Sequence, residues 1–360
     1  MNSKLSRRNF LGSSAAALAA ASLSPIVTSC QTSPAVQSFP GIYDFGSKFG
    51  GVQTGCTTYS FRNMPLGLEN IIKYCRETGI SSIEFRQGPD LEAFLGAPSA
   101  PQVQRSAPQQ MPAVDPSTLS ADEIAALRAA YAAGRRQLTP EEQEAQNKYN
   151  ADLKAWRVGF TPDKMAAAKK LFDDAGVGVH IVKWTPARWS EEEIDFAFRA
   201  AKALGAKGVS EEVGDEAVRK MAPAAEKHGM YAIFHNHDQF AEPGFDIDTY
   251  LAVSPAVMLN FDVGHYYGST GLNPCDFIRK YHNRIFSLHI KDKTGPNTDP
   301  PGANQVLGQG ETPLAEILLL IKKEGWPIYC DLELEYDIKP WSNQVKETKT
   351  CIQYMRNILI

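Results

Sequence analysis

From Val52 onward, short β-rich runs alternate with longer amphipathic runs, and this alternation constrains the fold more than any other feature of the chain. Consecutive strands separated by a helix must run parallel, because the helix returns the chain to the edge from which the first strand left. Eight candidate strands cover residues 53–59, 81–86, 178–184, 207–212, 230–235, 257–262, 285–291 and 328–335. Helical segments are expected over 66–78, 162–175, 190–204, 215–228, 247–253, 274–282 and 313–324. Several stop at a glycine (Gly79, Gly176, Gly205, Gly229, Gly325), the residue that most easily takes the left-handed turn from a helix end into the next strand. Eight parallel strands with intervening helices predict an α/β fold, a single (β/α)₈ barrel over residues 51–360.

One stretch breaks the alternation. Residues 97–116 are rich in Pro, Gln, Ala and Ser, and 120–133 and 139–157 read as two polar helices, so 97–157 is expected as a helical insertion after the second strand. In such a barrel it belongs on the C-terminal face, either as a lid over the site or as a surface elaboration.

The N-terminal region reads as an export signal rather than as part of the domain. Ser6-Arg7-Arg8-Asn9-Phe10-Leu11 resembles a twin-arginine signal ahead of an uncharged stretch that runs to Ser29. Val27-Thr28-Ser29-Cys30 resembles a lipoprotein cleavage box, which would make Cys30 a lipid-anchored first residue and 30–50 a tether. Periplasmic or cell-envelope location is the expectation, with the membrane touched only through that anchor. Removing residues 1–29 takes away three positive charges and no acids, which moves the formal net charge from −4 to −7 and argues against a nucleic-acid partner. The cysteines at 56, 75, 275, 330 and 351 form no Cys-x-x-Cys and read as buried thiols.

Chemistry gathers at the ends of the later strands. Of seven histidines, four (His235, His237, His265, His289) fall at or just beyond a strand C-terminus. Strand side chains alternate, so His235 and His237 share a face, as do His289 and Lys291, and as do Asp331, Glu333 and Glu335. Asp262 ends the sixth run, and Glu212 ends the fourth with its side chain toward the interior. A barrel interior favours Val, Ile and Leu, and an unpaired buried charge costs several kcal/mol, so acids and imidazoles converging from five strands call for a cation. Mixed imidazole and carboxylate ligands suit one divalent transition metal, Zn, Mn, Co or Fe. Weaker features are Lys183-Trp184, which offers a cation and either a sugar-stacking ring or a core-rim aromatic, Glu84 and Arg86 as an internal ion pair, Tyr266 and Tyr267 lining the pocket or packing in a turn, and Gly308-Gln309-Gly310-Glu311 as a loop near substrate.

The motifs His235-Asn236-His237-Asp238, Asp262-Val263-Gly264-His265, His289-Ile290-Lys291-Asp292 and Glu333-Leu334-Glu335 resemble those of the sugar-phosphate isomerase/epimerase group of xylose-isomerase-like barrels, over about residues 50–360. The resemblance implies a metal held by Asp262, His289 and Glu333, with His235 standing where many relatives have Glu. It further implies proton transfer next to a metal-polarised sugar carbonyl. Glu212, His237 and Glu335 are the candidate bases, Lys291 steadies negative charge or protonates a leaving oxygen, and His265, Lys183 and Trp184 meet the substrate. Export favours an unphosphorylated sugar or keto-sugar. Two other readings stand beside an isomerase or epimerase: a lyase or hydratase that eliminates the aglycone or water from a keto-glycoside, and a non-catalytic lipoprotein that binds metal and sugar.

Overall fold

The computed structural model describes residues 45–86, 88–101 and 138–360. The expected signal, the Cys30 box and the predicted helix over 120–133 lie outside the described residues. Eight parallel strands close into a barrel: β1 (Val52–Thr57), β2 (Ser82–Phe85), β3 (Gly178–Lys183), β4 (Gly208–Glu212), β5 (Tyr231–His235), β6 (Val257–Asp262), β7 (Ile285–Ile290) and β8 (Tyr329–Leu332). Each pairs with the next in chain order and β8 pairs with β1, which leaves the barrel without an edge. Lys48–Phe49 adds a short antiparallel ribbon to β1.

Helices Leu68–Thr78, Glu191–Leu204, Asp215–His228, Pro274–Tyr281 and Leu314–Glu324 cover the outside close to where the periodicity places them. Four are closed by a left-handed glycine at the expected position, Gly79, Gly205, Gly229 and Gly325. The helix Gln344–Leu359 is an addition to the expected set. All five cysteines of the domain are free and buried, as expected. Among the described residues no helix is long and apolar enough to cross a membrane.

Strand alternation divides the molecule into two interiors with opposite chemistry. Val182, Val209, Phe234, Phe261, Leu288 and Leu332 point outward into the apolar layer between strands and helices, and all six are fully or almost fully buried there. The neighbours of the last four, His235, Asp262, His289 and Glu333, lie in the barrel interior and are buried as well. At the opposite end, His180 hydrogen-bonds Asp331 through Nε2 (2.8 Å) and Ser82 through Nδ1 (2.8 Å). The His180 ring stacks on Tyr329 at 4.0 Å and 4°, and Phe286 stacks on Tyr329 in turn.

The described end of the insertion is built into the outer layer. Helix Pro140–Val158 opens with a capping box between Thr139 and Glu142. Near its other end, Trp156 packs edge-on against Phe196, and Arg157 enters the protein. The Arg157 guanidinium grips Glu92 with two hydrogen bonds (2.7 and 3.0 Å), donates a third to Glu193 (3.1 Å) and lies over the Trp189 ring. Arg157→Met would leave two buried carboxylates without a cation. We expect a loss of about 3–5 kcal/mol in denaturant unfolding, with Arg157→Lys intermediate because an ammonium cannot reproduce the bidentate contact.

Candidate metal centre at the barrel mouth

The C-terminal ends of the strands bring His235, Asp262, His289 and Glu333 together, with one ligand-type atom of each within 4.8 Å of the others. Local structure aims each of these atoms. Asp262 caps the helix Val263–Thr270 by accepting from the His265 N–H through Oδ1 (2.7 Å), which leaves Oδ2 for the cluster. Gly264 permits this start of the helix, since a Cβ there would lie 2.6 Å from the Lys291 carbonyl oxygen. Asn236 clamps the two motifs: its Oδ1 accepts from the Asp262 N–H (2.9 Å) and its amide donates to the Asp262 carbonyl (3.3 Å).

His289 is oriented from behind by Glu84, whose Oε2 lies 2.6 Å from Nε2. Asn260 donates to the same carboxylate oxygen (2.8 Å), so Nδ1 is the ring nitrogen that faces Glu333 (3.1 Å) and Asp262 (3.7 Å). A carboxylate on the far nitrogen is how proteins fix the tautomer and direction of a metal-binding histidine. The Lys291 ammonium, almost wholly buried, stands 3.0 Å from Asp262 Oδ2, 2.8 Å from Glu333 and 2.8 Å from Glu335.

Burial alone would push these carboxyls up, but the charges among them dominate. Lys291 and the neighbouring imidazoles hold Asp262 and Glu333 well below the usual carboxylate range. Burial would lower Lys291, yet Asp262, Glu333 and Glu335 raise it above an ordinary lysine. Burial and the charges of Lys183 and His289 keep His235 neutral, the form in which imidazole binds a metal.

A second group occupies the neighbouring rim. Glu212 lies 2.7 Å from Lys183 Nζ and 3.2 Å from His237 Nε2. Burial would raise its carboxyl, but the His237 hydrogen bond and the Lys183 charge bring it to about 2. The same hydrogen bond raises His237. His265 faces Asp238 through Nδ1 (3.2 Å), while its Nε2 lies 3.8 Å from Glu335.

The structure thus gathers ten of the eleven residues expected at the site: His235, Asp262, His289, Glu333, Glu212, His237, Lys291, Glu335, His265 and Lys183. Trp184 takes the core reading and not the sugar-stacking one. It faces away from Lys183 into the outer core, buried against Phe196 and so close to Gly88 that a Cβ there would overlap the ring. Glu84 and Arg86 are not an internal pair: Glu84 belongs to His289, and Arg86 stacks over Tyr59. Asp331, expected beside Glu333, serves His180 one layer deeper. Tyr266 and Tyr267 sit on a helix rather than in a turn, and Tyr266 packs among Phe240, Phe261 and Phe277. The Gly308–Gly310 loop wraps the Asp292 carboxylate with the N–H groups of Gly308 (2.7 Å) and Gly310 (3.0 Å).

The residues present fit a transition metal. His235 Nδ1 is buried with no hydrogen-bond partner, Asp262 Oδ2 lies between the Lys291 ammonium and His289 Nδ1, and two imidazoles with two carboxylates form a borderline donor set. The family model described as xylose isomerase-like TIM barrel matches residues 149–358. The chain belongs to that family. No curated protein matches it in sequence. Among solved structures it is similar to a sugar phosphate isomerase/epimerase from Parabacteroides distasonis (16% identity, 85% of this chain and 96% of that one, TM-score 0.50). It is also similar to the probable 3-DHS dehydratase AsbF from Bacillus anthracis (13%, 84% and 98%, TM-score 0.51). A third similar structure is the IolI protein with a bound zinc atom (14%, 85% and 97%, TM-score 0.51). At these identities the family's barrel is what the chain shares with them.

Elemental analysis of the purified protein tests the centre. Asp262→Ala and His289→Ala, each reconstituted with Mn(II), are expected to fall well below stoichiometric metal. Glu84→Gln, which touches only His289 and its support, is expected to lower metal affinity about 10–100-fold.

Proposed function

We propose that this chain is a metal-dependent sugar isomerase or epimerase that moves a proton next to the carbonyl of an unphosphorylated sugar or keto-sugar. The observation that carries the proposal is the juxtaposition at one barrel mouth of the His235–Asp262–His289–Glu333 set with proton carriers on two of its flanks. A divalent metal held by those four residues would supply Lewis acidity toward the sugar carbonyl, and the similar IolI structure carries a bound zinc atom.

The chain's own groups divide the remaining work. Glu212, held at about 2, stays ionised and is too weak a base to take a carbon-bound proton itself. Its carboxylate instead orients His237 through Nε2, which leaves Nδ1 as the nitrogen that accepts the proton. The imidazolium then formed is stabilised by Glu212. Lys291 stays charged and donates to the oxygen on which negative charge grows. Return of the proton by His237 to the adjacent carbon gives isomerisation, and delivery to the original carbon on its opposite face, by Glu335 after it has taken up a proton from solvent, gives epimerisation.

Lys183 and Lys291 are both neutralised by carboxylates, so neither is a spare cation for a phosphate group. Together with the export signal expected at residues 1–29, this favours a substrate without phosphate, met in the periplasm or cell envelope. Elimination from a keto-glycoside is the second reading. The Lys291 ammonium favours it as a proton donor to a leaving oxygen, and a dehydratase is among the structures of the same fold.

Glu212→Gln decides whether the site is catalytic. An enzyme loses about 10²–10⁴-fold in kcat while retaining its metal, whereas a protein that only binds sugar is unaffected. Incubation of the wild-type protein with keto-sugars and keto-glycosides in D₂O separates the chemistries: deuterium in an isomeric sugar marks isomerisation or epimerisation, and a released aglycone marks elimination.

A further inference from the structure

His237 and His265 are arranged beyond what proton transfer and substrate contact require. With His235 they form a second set in which one ring nitrogen of each lies within 4.8 Å of the others. The rings of His235 and His237 are 4.9 Å apart, those of His237 and His265 4.6 Å, and those of His235 and His265 6.2 Å. Two ring nitrogens of these histidines, His235 Nδ1 and His265 Nε2, are buried and have no hydrogen-bond partner. Both residues are more than nine-tenths buried, so solvent does not satisfy these atoms. The two outer rings each have a carboxylate behind the opposite nitrogen: Glu212 at His237 Nε2 (3.2 Å) and Asp238 at His265 Nδ1 (3.2 Å). That backing is the pattern that directs histidines onto a metal, and Glu84 provides the same to His289.

We propose that His235, His237 and His265 form a second seat for a divalent transition metal, beside the four-residue centre and in competition with it. The assignment rests on reading that four-residue set as the primary metal centre. His235 belongs to both sets, so a single ion takes one seat or the other. The donors differ in kind: two carboxylates and two imidazoles favour Mn(II), whereas three imidazoles favour Zn(II), Ni(II) or Cu(II). An ion on the three histidines occupies His237 and withdraws it from proton transfer. The second seat therefore makes the enzyme's response depend on which metal is supplied, with nitrogen-seeking ions as inhibitors.

The experiment is separate titration of the full-length protein, stripped by chelator, with Mn(II) and with Zn(II), read by calorimetry. The variants are His237→Ala/His265→Ala, Asp238→Asn and Asp262→Asn, each checked for native thermal unfolding. The double histidine variant is expected to weaken Zn(II) by about tenfold or more and to leave Mn(II) within about threefold. Asp238→Asn, at an exposed carboxylate, is expected to shift Zn(II) in the same direction, and Asp262→Asn to weaken chiefly Mn(II). In the wild-type protein, Cu(II) is expected to show hyperfine coupling to three nitrogens. Zn(II) affinity unmoved by the histidine variants, together with loss of both metals in Asp262→Asn, would overturn the second seat and leave the first intact. Failure of the wild-type protein to bind Mn(II) at all would overturn the underlying metal centre instead.

Discussion

The mouth of the barrel holds more negative charge than an interior tolerates, and the structure depends on the cations threaded through it. Glu84, His289, Glu333, Asp262, Lys291 and Glu335 form one continuous chain of contacts across β2, β6, β7 and β8 and the residues that follow them. A buried carboxylate without a partner costs several kcal/mol, so each member is held in place by the others rather than by packing. The same chain sets which atoms remain for a ligand: Glu84 engages Nε2 of His289, the His265 N–H engages Oδ1 of Asp262, and what is left points inward.

A polar barrel interior shifts the stabilising apolar contacts elsewhere. The layer between strands and helices supplies them, through residues that sit next in sequence to the functional ones. Phe234 beside His235, Phe261 beside Asp262, Leu288 beside His289 and Leu332 beside Glu333 are all nearly or fully buried. One period-two pattern thus carries both the core and the site, and a one-residue slip in register would exchange them.

That pattern is why the barrel and most of the mouth were legible in the sequence. Strand-end residues with alternating neighbours, such as His289 between Leu288 and Ile290, announce which side they face. The residues that were missed depend on partners far away in the chain. Nothing near Glu84 in sequence indicates that it meets His289, because the contact exists only once β2 and β7 face each other across the closed barrel. Trp184 was open to two readings because a terminal strand residue looks the same on either face, and only the glycine at 88 leaves room for its ring on the outer side. The helix Val263–Thr270 was hidden by two glycines and two tyrosines, poor helix formers that are tolerated because Asp262 caps the first turn and Tyr266 packs into an aromatic cluster.

At the far end of the barrel, the stack of His180, Tyr329 and Phe286 over the Asp331 and Ser82 hydrogen bonds has a kinetic meaning. These rings and buried polar groups occupy the interior beneath the site, so a ligand held at the C-terminal mouth would come and go, and exchange protons with water, on the side of the strand ends.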